Sequence, residues 1–170
     1  MEKPKLKWTQ QTWQAMSPII GNIKMEQKHL FEMGTTMSIG DIDIESFGVS
    51  HDAIAPQFYN FHKDNKSFVM LTDTGYVSDR MRGIVANADA YLFESNHDIE
   101  MLLQGPYPQW LKERVMGEYG HLSNIDCSIY LAKNIGPKTK KILLTHLSHK
   151  NNTEEKALNT ITEIFKEYDI

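Results

Sequence analysis

The chain has 170 residues, 41% hydrophobic and 24% charged, which suits one globular domain with a sizeable core. No apolar run approaches the ~20 residues of a membrane span, and the first eight residues lack the apolar centre of a signal peptide. A net charge of −4 argues against nucleic-acid binding by bulk electrostatics but not against a local basic groove, and the single cysteine, Cys127, excludes intramolecular disulfides and multi-cysteine metal sites and suits a reducing cytoplasm.

Residues 5–8 read as a short strand, with Thr9 as N-cap of a helix through Met16 that ends at Pro18 and Gly21. A polar connection around Lys24, Glu26 and Lys28 leads to Gly34. Residues 35–39 form a strand that turns at Gly40 and Asp41 into a second, 42–49, where Ile42 and Ile44 alternate with Asp43 and Glu45. A strand over 57–62 folds back at 63–66, as a hairpin, onto 67–71. There Phe68, Val69, Met70 and Leu71 make the continuous apolar run of a strand buried on both faces. A short helix begins before Arg82. A strand over 89–94 follows, then a helix from Pro108 through Met116. Ser123 and Asp126 are spaced like a capping box for a helix that turns Ile125, Ile129 and Ala132 inward and stops at Gly136-Pro137. A strand over 140–145 precedes a last helix beginning near Asn152. Its apolar stripe is Ala157, Leu158, Ile161, Ile164, Phe165 and Tyr168. The pattern is that of one α/β domain over residues 1–170, without repeats or linkers.

Three strands end alike, at His51, Asp73 and His146. Asp73 alone reads either as the cap of the following turn or as a ligand at the carboxyl rim of a sheet, where α/β proteins gather ligands. Neighbouring strands bring their ends together, and two imidazoles with a carboxylate suit zinc, manganese or iron. A carboxylate between two imidazoles can bridge a metal pair, which activates water and stabilises a displaced phosphate oxygen.

Five segments then carry a resemblance: Ser50-His51-Asp52, Leu71-Thr72-Asp73-Thr74-Gly75, Phe93-Glu94-Ser95-Asn96-His97-Asp98, Gly120-His121-Leu122-Ser123-Asn124 and Leu144-Thr145-His146-Leu147-Ser148. In this order, across essentially the whole chain, they resemble successive motifs of the metallo-β-lactamase superfamily. More narrowly, they resemble its YycJ/WalJ/VicX branch, relatives of ribonuclease Z-type phosphodiesterases. The resemblance implies an αβ/βα sandwich with two divalent metal ions, Mn or Zn, between its halves. It implies that His51 and His146 each hold one metal, that Asp73 bridges both, and that His121 lies beside the scissile phosphate. The branch is associated with 5′-to-3′ exonuclease action on double-stranded DNA and with mismatch repair. The superfamily's His-x-His-x-Asp-His signature is absent from this sequence, so the expected fold is an incomplete sandwich, its C-terminal part, lacking N-terminal strands. An open apolar face and self-association through it follow from that expectation.

Asp52 reads as orienting His51 or as a turn residue, and His97 as supporting a ligand, contacting substrate or serving structure. Ser123 adjoins His121 at a helix start. Glu94 reads either as a neighbour of the metals or as a carboxylate bonded to backbone amides. Tyr107, Trp110, Lys112 and Arg114 interleave aromatic and basic groups in the manner of a nucleic-acid surface, or of any amphipathic helix. His149 reads as solvent-facing, and His29 and His62 as structural. The leading expectation is a cytoplasmic metal-dependent phosphodiesterase. Its rivals are a non-catalytic remnant serving as a binding module and one half of a split enzyme.

Overall fold

The computed structural model describes residues 5–170; the reading of the chain's start, where it concerns residues 1–4, lies outside them. Leu6–Trp8 (β1) leads into Gln10–Ile20 (α1), whose N-cap Thr9 accepts a hydrogen bond from the Thr12 amide at 3.1 Å. The helix runs through Pro18 instead of ending there, and stops at Gly21 with φ +70°. One bond lost near its end is offset by Trp13, which packs on Trp8 and donates its indole N–H to the His29 carbonyl at 3.1 Å. The expected polar connection holds a 3-10 turn, Met25–Gln27, and a strand, Lys28–Leu30 (β2), paired in parallel with β1. Three residues are too few to show a period.

Thr36–Ile39 (β3), Ile42–Gly48 (β4), Gln57–Lys63 (β5) and Lys66–Leu71 (β6) form an antiparallel meander, to which Ala90–Glu94 (β7) and Lys141–Thr145 (β8) add in parallel. The β5–β6 turn closes on the Lys63–Lys66 pair with Asp64 at φ +51°, as a two-residue hairpin loop requires. Asp79–Val85 (α2) links β6 to β7. Ile99–Gln104 (α3), Gln109–Met116 (α4) and Asn124–Asn134 (α5) lie between β7 and β8, and Glu154–Glu167 (α6) follows. α3, at six residues, was too short for its periodicity to register.

Helices α2, α5 and α6 cover one face of the sheet. Phe58, Val69, Leu71, Tyr91 and Phe93 meet Met81, Val85, Cys127, Leu131 and Ile161 there. Each such side chain contributes about 1.5–3 kcal/mol by burial. The inward face of α5 is Cys127, Tyr130 and Leu131, whereas Ile125 is exposed and Ile129 half-buried. Asn124, buried and paired with Ser95 and Asn152, fixes the rotation of the first turn and swings Ile125 outward. On α6, Ala157, Ile161 and Ile164 are buried while Leu158 and Tyr168 are exposed, so the apolar stripe is narrower than the sequence suggests.

The register places Tyr59, Phe61, Phe68, Met70, Leu92 and Leu143 on the opposite face. Phe31 stacks on Tyr59 at 5.9 Å, but Met70 and Leu143 remain 37% and 43% exposed. β6 is therefore buried on one face, not two, and the open apolar face is present.

Strands β4, β6, β7 and β8 run in one direction, so their carboxyl ends share one edge. His51, Asp73, Glu94 and His146 stand at or just beyond those four ends.

Candidate metal centre

Asp73 and His146 both sit in the left-handed backbone region, at φ +57° and +58°. Non-glycine residues adopt it at a cost of order 1 kcal/mol, and such positions cluster at functional sites. The turns are held from outside. The Asn96 side-chain amide donates to the His146 carbonyl at 3.0 Å, and the Gly75 amide donates to the Ser50 carbonyl at 2.9 Å. Gly75 lies flat against the backbone of Gly117 and Glu118, where a Cβ has no room. The Ser50 hydroxyl donates to the Glu118 carbonyl at 2.7 Å. The loops carrying His51, Asp73 and His121 are thus knitted into one rim.

Three imidazoles are tethered there by one nitrogen each. His51 Nδ1–H donates to the Gly120 carbonyl at 3.0 Å. His121 and His146 donate Nδ1–H to the same oxygen, Glu94 Oε1, at 2.6 and 2.7 Å. Glu94 Oε2 accepts the Thr74 amide at 2.9 Å, and the side chain is fully buried. Burial favours its neutral form, but the three hydrogen bonds outweigh this and hold the carboxyl below its usual range. The bond to Glu94 raises His146 above the ordinary imidazole value, against the opposing effect of burial. In the neutral ring the Nδ1–H donation leaves Nε2 as a lone pair, the form a metal requires.

His146 Nε2 lies 3.4 Å and His51 Nε2 3.8 Å from Asp73 Oδ1. Both separations exceed a good hydrogen bond. Two tetrahedral ligands of one ion at ~2.1 Å lie about 3.4 Å apart, so each imidazole is placed near the distance at which Asp73 could share an ion with it. Two groups of ligand atoms within 4.8 Å of one another result, His51–Asp73–His121 and Glu94–His121–His146. In the second, Glu94 already accepts hydrogen bonds at both oxygens, so the atom facing His146 from the open side is Asp73 Oδ1. His121 belongs to both groups, its ring 5.0 Å from that of His51 and 5.1 Å from that of His146. Among the described residues there are thus two clusters able to hold metal ions. Cys127 takes no part: it is buried in the core, and burial pushes its thiol far up.

Asp52 turns to α4, accepting the Nε–H of Arg114 at 2.5 Å, a bond that lowers its carboxyl below the usual range. Its nearer oxygen is 3.7 Å from His51 Nε2. Ser123 caps α5, accepting the Asp126 amide at 3.0 Å and donating to Asp126 Oδ2 at 2.6 Å. His97 is buried, its Nδ1 without a hydrogen-bond partner. Desolvation, with the nearby His121 charge, lowers it to about 4. His62 pairs with Glu45 at 3.0 Å and is structural. Sequence reasoning weighed two roles for Glu94; the structure shows its carboxylate accepting one backbone amide and two imidazole N–H groups. The Gly120 carbonyl and the Asn96 amide were not foreseen, because backbone acceptors and turn-holding amides have no sequence signature.

No family model matches the chain. Solved structures do. The metallo-β-lactamase fold protein YhfI from Bacillus subtilis superposes with a TM-score of 0.61 at 16% identity, covering 82% of this chain and 50% of that one. The Zn2+-bound PqqB from Methylobacterium extorquens gives a TM-score of 0.64 at 17% identity, covering 95% and 58%. Sheet, flanking helices and strand-end rim thus define an α/β protein of the metallo-β-lactamase fold. The exodeoxyribonuclease WalJ of Streptococcus pneumoniae serotype 2 is 56% identical over 163 residues, 95% of this chain and 61% of the relative. The exodeoxyribonuclease YycJ of Bacillus anthracis is 48% identical over 158 residues, 93% of this chain and 60% of the relative. The chain belongs to this WalJ/YycJ branch of the superfamily and spans about three-fifths of the length of these relatives.

Proposed function

We propose that the chain forms one wall of a two-metal centre in a DNA phosphodiesterase, the C-terminal part of a fold completed by further sequence. The observation that carries this reading is the set of three imidazoles tied at Nδ1 so that they converge on Asp73. The relatives' exodeoxyribonuclease names support a DNA substrate cleaved from an end; the reading takes that DNA to be double-stranded and the protein to work in the cytoplasm. His51 and His146 would each hold one metal and Asp73 would serve both, while Glu94 and the Gly120 carbonyl fix the rings. The bound pair supplies Lewis-acid polarisation of the phosphate and activation of water. His121, at the cleft wall with the Glu94 carboxylate behind it, would act in its imidazolium form, whose Nε2–H steadies the phosphate oxygen or passes its proton to the leaving oxygen and returns the ring to neutral. The open apolar face is where the rest of the fold, or a second copy of the chain, packs.

Membership of both ligand groups favours a second role for His121, as a direct ligand. Calorimetric titration of the full chain with Zn2+ or Mn2+ separates the two. Asp73→Asn is expected to weaken binding at least 100-fold, and His51→Ala to abolish the tighter event. His121→Gln leaves metal affinity intact if the residue serves the phosphate and lowers it like His51→Ala if it is a ligand. Unchanged affinity in both Asp73→Asn and His51→Ala would overturn the site. Rivals that keep the fold without chemistry, a binding module among them, require metal-free protein under saturating metal.

A further inference from the structure

An open groove of about 560 Å³ leads away from His121 and His146, between α4 and the loop after β8. That volume lies within the ~300–1,000 Å³ range of small-ligand sites. Tyr107, Arg114 and Lys150 line it along with both histidines. Lys150 Nζ stands 5.8 Å from the centroid of the half-buried Tyr107 ring, an ammonium over an aromatic face. Arg114 uses Nε for Asp52, which leaves the four Nη–H donors of a 52%-exposed guanidinium for an incoming anion. The loop that presents Lys150 is pinned at both ends. The Ser148 amide donates to the Asn96 carbonyl at 2.8 Å, and the Asp98 amide donates to the Asn151 carbonyl at 2.9 Å. The remaining members of the interleaved 107–114 stretch point elsewhere: Trp110 is 65% exposed, and Lys112 donates to the Leu103 carbonyl at 2.5 Å.

We propose that this groove seats the nucleotide adjoining the scissile phosphate, with its base stacked on Tyr107 and its phosphate held by Lys150 and Arg114. The inference rests on the phosphodiesterase reading and adds the subsite. An aromatic face and two cations beside a metal rim fit a nucleotide, whose π-surface and phosphate need one each. In a chain of net charge −4, two cations lining one groove, Arg114 and Lys150, also give the local positive site that composition left open.

The test is fluorescence anisotropy of the full chain with a labelled DNA duplex bearing a short single-stranded end, at several salt concentrations. Metal affinity is measured in parallel by calorimetry. Tyr107→Ala is expected to weaken DNA binding roughly 5- to 100-fold, and Tyr107→Phe to restore it, since stacking needs only the ring. Lys150→Gln, at an exposed position that cannot compromise folding, should weaken binding and lower the salt slope by about one phosphate. Metal affinity stays at the wild-type value in all three variants. Wild-type DNA affinity and salt slope in both Tyr107→Ala and Lys150→Gln would overturn the subsite. So would a wild-type chain that binds metal but no DNA, with the metal centre left standing. A chain that binds neither overturns both readings.

Discussion

The two sides of this molecule that matter most are built from opposite materials. Beneath the sheet, Val69, Leu71, Tyr91, Phe93 and Leu131 fill an apolar core held by area removed from water. At the carboxyl edge of the same strands, the chain buries Glu94, Ser95, Asn96, Asn124 and Asn152 instead. Asn124 and Asn152 exchange side-chain amide bonds at 2.9 and 2.8 Å, the Ser95 hydroxyl donates to Asn124 at 2.6 Å, and Asn152 donates to the Ser95 carbonyl at 2.8 Å. Hydrophobic burial is non-directional, so it stabilises without fixing angles. A satisfied buried hydrogen-bond network adds little net stability but is directional. The core therefore keeps the chain folded, while the polar rim holds three imidazoles and a carboxylate in register.

If this division is right, the two sides respond to different insults. The largest effect should come from the core: Leu131→Ala is expected to cost about 2–5 kcal/mol of stability in urea unfolding. The same variant should keep metal affinity within twofold at temperatures where it remains folded. A large change in affinity would show that the rim depends on the core for its angles.

Acid should act next, through His97. Its folded value of about 4 lies below the ordinary imidazole value of 6.5, so the unfolded chain binds the proton more readily. The neutral, buried ring thus contributes stability that is complete above pH 6.5 and lost as pH falls towards 4, on the order of 3 kcal/mol. His146, raised by Glu94, acts in the opposite sense: its contribution is present below pH 6.5 and fades as pH rises through its raised value. The His97 contribution is isolated as the difference between wild type and His97→Gln in unfolding free energy between pH 4 and 7. A difference independent of pH would contradict the assignment.

The smallest effect on stability and the most selective effect on function should follow Glu94→Gln. An amide keeps the shape but weakens the hold on two Nδ1–H donors, which should lower metal affinity 10- to 100-fold. Melting temperature should change far less than in Leu131→Ala. Equal metal affinity in Glu94→Gln and wild type would remove Glu94 from the site's architecture.

Much of this was legible in the chain of letters. Alternation in 42–45, the turn at 63–66, the N-caps Thr9 and Ser123, and the breaks after residues 49, 71, 94 and 145 follow from local physics: side-chain period, φ preference and amide capping. They locate His51, Asp73, Glu94 and His146 at strand ends, and the resemblance of five segments carried the branch. Errors arose where a short stretch leaves local patterns ambiguous. Continuous apolar letters over 68–71 cannot reveal that Met70 faces an open side, nor can period alone tell that Asn124 outranks Ile125 for the interior.

What the sequence by itself determined is which residues stand at the ends of which strands, because those facts depend on neighbours along the chain. Only the tertiary structure decided that four of these ends share one edge, that one buried carboxylate serves two histidines, and that Tyr107 and Lys150 meet across a groove beside them. Each is a relation between residues more than twenty positions apart, and strand order and direction, not local preference, set the distance between them.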